Sequence, residues 1–194
     1  MDFKQYGLSL FQGTKQLLLH PREFWNGPSP QVYRDRVVSR MYAPLVLLAG
    51  LAIFAGEVIH SFEILWSYAL LKGMREIVSY FMQFFLAVPV LAALLKNYGG
   101  RAGRNTLRMV VVSTLIPFVL ASTVTGLFPG LYIISITGLY GFYLFATGSL
   151  YQLEIPKENQ SRFITLAILL NILIFGITNL ICWRIFDALF PYGA

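Results

Sequence analysis

The chain has 194 residues, of which 57% are hydrophobic and only 12% charged, with a mean hydropathy of +0.65; soluble domains carry about 25% charged residues. A soluble fold would need a polar surface that so few polar side chains cannot make, so lipid is the expected solvent. The net charge of +6 does not require nucleic acid, because basic residues on a cytoplasmic face are drawn to anionic headgroups and no room remains for a soluble recognition module.

Residues 1–40 are the only substantial stretch outside the long apolar runs. In "FKQYGLSLFQGTKQLLLHPREFW", Phe3, Tyr6, Leu10, Leu17 and Leu18 fall near one helical face, and Gln5, Gln12, Lys15 and Gln16 lie mostly opposite. This is the pattern of an amphipathic helix, either lying in the membrane interface or packed against the cytoplasmic ends of a bundle. His20-Pro21 should end or bend it, because proline disfavours helix in the residue before it. Trp25 then sits where an interfacial aromatic would. Ser29 and Pro30 read as an N-cap and first helical residue, opening a helix that runs through "YRDRVVSR" into the first span. No secretory signal peptide is expected, since the first apolar run begins near residue 41 with no small-residue cleavage site before it.

From residue 41 to 194 the sequence reads as one membrane domain. Five apolar runs, about 41–59, 77–95, 109–128, 131–151 and 163–183, reach or approach the roughly 20 residues a helix needs to cross the hydrocarbon core. They are apolar all round, without the alternation of a β-barrel strand, so the fold class is an all-α polytopic membrane bundle. The first run offers Ala52 and Gly56 as a small-xxx-small surface. Near its outer end "EVIHSFE" places Glu57 and His60 at the Glu-x-x-His spacing of di-metal bundles, with Glu63 beside them. No second such motif exists, so a solvated helix end is expected there, with a pH-sensitive histidine contact as the alternative.

Between the second and third runs lies "NYGGRAGRNTLR". Its Gly-Gly-x-x-Gly spacing after a membrane helix is not a dinucleotide loop. Gly99 and Gly100 can end the second span in a left-handed cap, while Arg101, Arg104 and Arg108 hold the loop on the cytoplasmic side and meet lipid phosphates. Gln83 in the second run, Ser113, Thr114, Ser122, Thr123 and Thr125 in the third, and Asn171, Thr178 and Asn179 in the fifth are explained by hydrogen bonds between helices. The sharper alternative is a polar path near Gln83, Asn171 and Asn179, to which Pro89 and Pro117 could contribute helix breaks. "FPGL" forces the third and fourth spans into a hairpin with Pro129-Gly130 at its tip. In the fourth, Thr137, Gly141 and Gly148 fall near one face suited to close packing, with Gly138, Tyr140, Tyr143 and Phe145 filling the rest in a structural role. Cys182, the only cysteine, reads as packing rather than chemistry.

Twelve lysines and arginines precede the first span or lie in the second-to-third and fourth-to-fifth loops; Lys72, Arg75 and Arg184 fall on the other side. The positive-inside rule therefore places the amino terminus in the cytoplasm and, with five spans, the carboxyl terminus outside.

The order "LLLHPREFW", "YAPLVLLAGLAIFAG", "YGGRAGRNTLRMVVVSTLIP" and "GLFPGLYIISITGLYGFYLFATGSLYQL" resembles the Yip (Ypt/Rab-interacting protein) family in its short prokaryotic form, over nearly the whole chain. The resemblance implies five membrane-spanning helices and the same orientation. It also implies a role without catalysis: eukaryotic members bind Rab-type GTPases and act in vesicle formation and membrane shaping. This sequence lacks their long cytoplasmic amino-terminal region and Asp-Leu-Tyr-Gly-Pro-type motif, and a prokaryotic member would have no Rab to bind. The reading that follows is a non-catalytic scaffold or membrane-shaping protein of a bacterial cytoplasmic membrane, with no catalytic residue, cofactor or metal. Its partners are membrane lipids and other membrane proteins or a second copy, and not nucleic acid. A small-molecule or ion transporter is the alternative, and a lipid-modifying enzyme the third reading.

Overall fold

The computed structural model describes residues 12–61 and 66–189. Phe3, Tyr6, Leu10 and Glu63, part of the patterns above, lie outside the described residues. In chain order the elements are α1 (residues 12–19), α2 (Pro21–Asn26), α3 (Ser29–Arg34), a π-helical turn (Val38–Tyr42) and α4 (Ala43–His60). Then come α5 (Trp66–Asn97), α6 (Arg104–Leu127), a 3₁₀ helix (Pro129–Leu139), α7 (Tyr140–Gln152) and α8 (Lys157–Leu189). Five helical stretches are long and apolar enough to cross a membrane, namely Val38–His60, Trp66–Asn97, Arg104–Leu127, Pro129–Gln152 and Lys157–Ala188. The all-helical membrane bundle expected from the apolar runs is the fold found.

The helices overrun those runs. At 1.5 Å per residue the 32 residues of α5 extend about 48 Å, well beyond the roughly 30 Å hydrocarbon core. Its apolar run begins at Ile77, but the helix already includes Trp66 and the residues that follow it, because Leu70, Leu71, Lys72, Met74 and Arg75 all favour helix. Lys72 and Arg75, assigned to a loop by hydropathy, are therefore fixed on a helix. Pro89 and Pro117 sit inside α5 and α6 without ending either one, contrary to the helix breaks the alternative reading allowed.

Helix α6 is the hub, carrying Val110, Ile116 and Val119 with essentially no exposure and packing against α4, α5, the 3₁₀ helix and α7. Close approach at these seams depends on glycine. Gly56 of α4 faces the backbone of Gly126 in α6, Gly50 faces Gly73 and Ile77 of α5, and Gly141 of α7 sits on the Thr114 carbonyl. A side chain at any of these points would force the helices apart, which is why small residues line membrane helix interfaces. Helix α8 packs chiefly on α5, anchored by Ser79 Oγ donating to Asn179 Oδ1 (3.3 Å) and Asn159 Nδ2 donating to the Tyr98 carbonyl (3.3 Å). Its other sides leave Leu169, Leu173, Leu180 and Ile185 exposed, as suits a helix facing lipid.

The fourth span is not the continuous α-helix its hydropathy suggests. Ile133, Ile134, Ile136 and Thr137 are β-branched and Gly138 follows, all weak α-formers, and the chain there winds as a 3₁₀ helix before α7 begins. Three residues per turn also changes the face: Gly138, Gly141 and Gly148 are buried, whereas Thr137 points outward and binds the Ile134 carbonyl. Gly130 has nothing within 4 Å of where a side chain would stand, so it marks the hairpin tip rather than a packing contact.

The described amino-terminal helices, from residue 12 onward, pack on the bundle rather than lying free in the interface. Leu17 (1% exposed), Phe24 (0%) and Trp25 (3%) belong to the core, while Lys15, His20, Arg22 and Glu23 face outward. Tyr140, at the start of α7, donates its hydroxyl to the Leu18 carbonyl (2.9 Å), and Gln152, at its end, donates Nε2 to the Trp25 carbonyl (3.2 Å). The segment thus runs along the length of α7. Trp25 is consequently not an interfacial anchor, because its ring lies against Gly148 and edge-on to Phe24 at 5.2 Å. Helix α3 begins with Ser29 itself inside the first turn and Pro28 as its cap, one residue earlier than expected.

Candidate functional site

Two ends of the bundle differ in how they hold charge. At one end meet the loops between α5 and α6 and between α7 and α8, together with α2 and α3. Gly99 takes φ +70°, its amide binds the Lys96 carbonyl and that of Gly100 binds the Leu95 carbonyl, a Schellman cap that ends α5 as expected. The next residue, Arg101, exchanges backbone hydrogen bonds with Glu154 (2.9 and 3.0 Å), tying the two loops together. Arg101 and Arg104 are exposed; Arg108 is half-buried and donates to Asn105 Oδ1 (3.4 Å), whose amide donates to Asp35 (3.1 Å). With Arg34, Arg36, Arg40, Lys96, Lys157 and Arg162 nearby in sequence to these elements, this is the basic end.

The far end carries a cavity of about 450 Å³ whose polar wall is built from Glu57 of α4, Lys72, Arg75, Glu76 and Tyr80 of α5, Ser122 and Thr125 of α6, and Ser135 of the 3₁₀ helix. Lys72 Nζ and Glu57 Oε2 form an ion pair at 2.5 Å, with the side chains 36% and 21% exposed. Glu57 Oε1 accepts the Ser61 hydroxyl (3.1 Å), and Ser122 Oγ donates to Glu76 Oε1 (2.5 Å). Among the described residues Arg75 has no carboxylate within ion-pair distance. His60 turns away: its Nδ1 lies 2.8 Å from the Gly56 carbonyl, an acceptor only, so this nitrogen carries the proton. The described residues contain no group of three or more histidine, cysteine, aspartate and glutamate side chains able to hold a metal ion, and Glu57 and His60 form no ion pair among them.

Midway along the bundle a smaller cavity of about 200 Å³ is walled by Ala87, Leu115, Leu139, Phe142, Ile172 and Ile174, with Gln83, Thr114 and Asn171 as its polar members. Here the structure brings together Gln83 and Asn171, two of the three residues of the suggested polar path. Gln83 is 2% exposed with Oε1 unpartnered, Asn171 Nδ2 donates back to the Ala167 carbonyl (2.8 Å), and Thr114 does the same to Val110 (2.9 Å). Asn179 is not in this cavity; it serves the α5–α8 seam, and its Nδ2 donates to the Phe175 carbonyl (2.9 Å). Pro117 is also elsewhere, lining a third cavity of about 270 Å³ with Leu18, Val124, Thr137 and Tyr140 under the amino-terminal segment. Tyr143, 45% exposed, stacks at a tilt on Tyr140 (5.4 Å) and faces outward.

Phe118 and Phe175, ring centroids 5.4 Å apart, line both the far-end cavity and the inner one. The arrangement is a polar chamber of both charges adjoining an apolar pocket across an aromatic pair. Sequence reading missed Arg75, Glu76 and this pair. The signal available was that Glu57, Lys72, Arg75 and Glu76 are the ionisable groups flanking the ends of the first two spans, close enough to pair.

A family model for the Yip1 domain matches residues 15–180 of the chain. No curated protein and no solved structure matches it. The chain belongs to the Yip1-domain family, as its loop and hairpin motifs suggested.

Proposed function

We propose that this Yip-family chain is a non-catalytic scaffold and membrane-shaping protein of a bacterial cytoplasmic membrane, with its basic end in the cytoplasm and its carboxyl terminus outside. The observation that carries the reading is the packing of α2 and α3 against α7 and the start of α6, with Gln152 bound to Trp25 and Asn105 to Asp35 at the basic end. We infer that helices added beside the bundle there broaden the protein in that leaflet, and a body wider in one leaflet than the other is best accommodated where that leaflet is curved. The outward Lys15 and Arg22, with Arg101 and Arg104, supply attraction to anionic headgroups, each basic residue near the surface contributing about 1 kcal/mol. Its partners are the lipids themselves and other membrane proteins or a second copy met through the unburied sides of α8; no Rab-type GTPase or nucleic acid is needed.

The test uses the labelled protein in giant vesicles from which narrow tethers are pulled. Wild-type protein oriented with the basic end outward concentrates in the tether, and Trp25→Ala, which unseats the amino-terminal segment from Gly148, reduces that enrichment. Equal density of the wild type in tether and vesicle would sink the proposal.

The transporter reading keeps one observation in its favour, the inner cavity at Gln83 and Asn171. Phe118 and Phe175 line both that cavity and the polar chamber, so a solute passing between the two would run along both rings. Solute flux into proteoliposomes that Gln83→Leu abolishes would favour it over the scaffold.

A further inference from the structure

We propose that the far-end chamber and the inner pocket together bind one phospholipid with a zwitterionic phosphoamine headgroup, its phosphate on Arg75, its ammonium on Glu76 and an acyl chain past Phe118 and Phe175. The proposal goes beyond the scaffold reading and stands or falls without it.

Charge selects the headgroup. The four charged residues of the chamber sum to zero, but they are not equally occupied. Glu57 and Lys72 neutralise each other, and Ser61 takes the second Glu57 oxygen. Arg75 and Glu76, neighbours on α5 that both line the chamber, are left with binding capacity. Arg75 keeps its guanidinium donors, and Glu76 keeps Oε2 beyond the oxygen that Ser122 occupies. A guanidinium is suited to a phosphate, which it meets with paired donors, and a carboxylate to an ammonium. A ligand of one sign would satisfy one of these two groups and leave the other facing a like charge.

Apolar volume selects the rest of the molecule. The chamber does not end in a polar floor. It ends at Phe118 and Phe175, and on their other side lies a pocket lined mainly by Ala87, Leu115, Phe142 and Ile172. Pockets that bury a ligand pair such apolar walls with a few placed polar groups. From Arg75 to Ala87 is twelve residues of helix, about 18 Å along α5, so head and chain sites are separated by a distance that an extended acyl chain spans. A free phosphoamine would engage only the chamber and leave the pocket empty.

The experiment incubates the delipidated full chain in detergent with phosphatidylethanolamine, phosphatidylglycerol or soluble phosphoethanolamine, and counts retained molecules by native mass spectrometry. One phosphatidylethanolamine is retained by the wild type, about tenfold more strongly than phosphatidylglycerol. Arg75→Gln weakens retention about tenfold, the scale of a lost charge-assisted hydrogen bond, and Arg75→Lys restores part of it. Glu76→Gln removes the preference for the zwitterion while retaining lipid, and reports on the site even if Arg75→Gln does not fold. Equal retention of both lipids by the wild type, unchanged retention in Arg75→Gln, or displacement of the lipid by soluble phosphoethanolamine at matched concentration would each overturn the assignment.

Discussion

Gly56→Ala and Gly176→Ala are the same chemical change on two membrane helices, and the structure predicts a gain only for the second. In a helix interior, alanine in place of glycine gains about 0.8–1.0 kcal/mol. At Gly176, on the outward side of α8, nothing lies within 4 Å of the new methyl group, so the gain stands alone. At Gly56 the methyl group meets the carbonyl oxygen and carbon of Gly126 and the Cα of Leu127, all backbone, so α4 and α6 must separate. Forcing an extra carbon into a packed seam costs about 1–3 kcal/mol. Gly56→Ala should therefore fall between no change and a loss of about 2 kcal/mol. Subtracting one variant from the other cancels the helix-propensity term and leaves the collision itself, about 1–3 kcal/mol. Reversible unfolding by SDS in mixed micelles, followed by far-ultraviolet circular dichroism, measures both. If the two variants agree to within about 0.5 kcal/mol, the α4–α6 contact is not as close as described and the wall of the far-end chamber, which includes Gly126, is misplaced.

Three further results follow from single contacts. Tyr140→Phe removes the hydroxyl that holds the Leu18 carbonyl, worth about 0.5–1.5 kcal/mol, so trypsin should cut at Lys15 or Arg22 about two- to tenfold faster in detergent; unchanged cutting would mean the segment is held by Leu17, Phe24 and Trp25 alone. Glu57→Gln and Lys72→Met should each destabilise the chain, and the double variant should recover part of the loss, because each single change strands a partly buried charge; additive losses in a double-mutant cycle would show that the pair is not coupled. Gly99→Ala should cost about 1–2 kcal/mol by forcing a β-carbon into the left-handed region, and Gly99→Asn less, in the same unfolding assay.

Hydropathy was sufficient to read five spans because each apolar run had to match the thickness of a bilayer, a constraint local to the run. The cap at Gly99-Gly100 was legible for the same reason: it depends on residues 95–100 and on nothing far away. What escaped was set by distant partners or by the limits of hydropathy itself. An apolar run ends where charge begins, but a helix need not, so Lys72, Arg75 and Glu76 read as loop although they continue α5. Trp25 beside Arg22 had the local appearance of an interfacial anchor; its burial depends on Gly148, 123 residues later, as well as on the adjacent Phe24. The polar path was half legible, since Gln83 and Asn171 do share a cavity, but the aromatic pair that lines both it and the charged chamber joins Phe118 to Phe175 across 57 residues. The 3₁₀ helix was foreshadowed by Ile133, Ile134, Ile136 and Gly138, yet hydropathy alone cannot distinguish the winding of an apolar helix.

The two ends also differ in what salt should do to them. At the basic end Arg101 and Arg104 are exposed and lack carboxylate partners among the described residues, so their attraction to headgroups acts through water. Such attraction fades as the screening length contracts from about 10 Å at 0.1 M to about 3 Å at 1 M salt. At the far end Arg75 and Glu76 are half-buried and line a cavity, where a bound headgroup would touch them directly and screening acts less. Tether enrichment in anionic vesicles should therefore decline steeply between these salt concentrations, while retention of radiolabelled phosphatidylethanolamine by the purified chain changes little. A parallel decline would place both lipid contacts on exposed surface and remove the distinction between a face that meets the membrane and a chamber that holds one of its molecules. A steep fall in retention with steady enrichment would reverse the assignment of roles to the two ends.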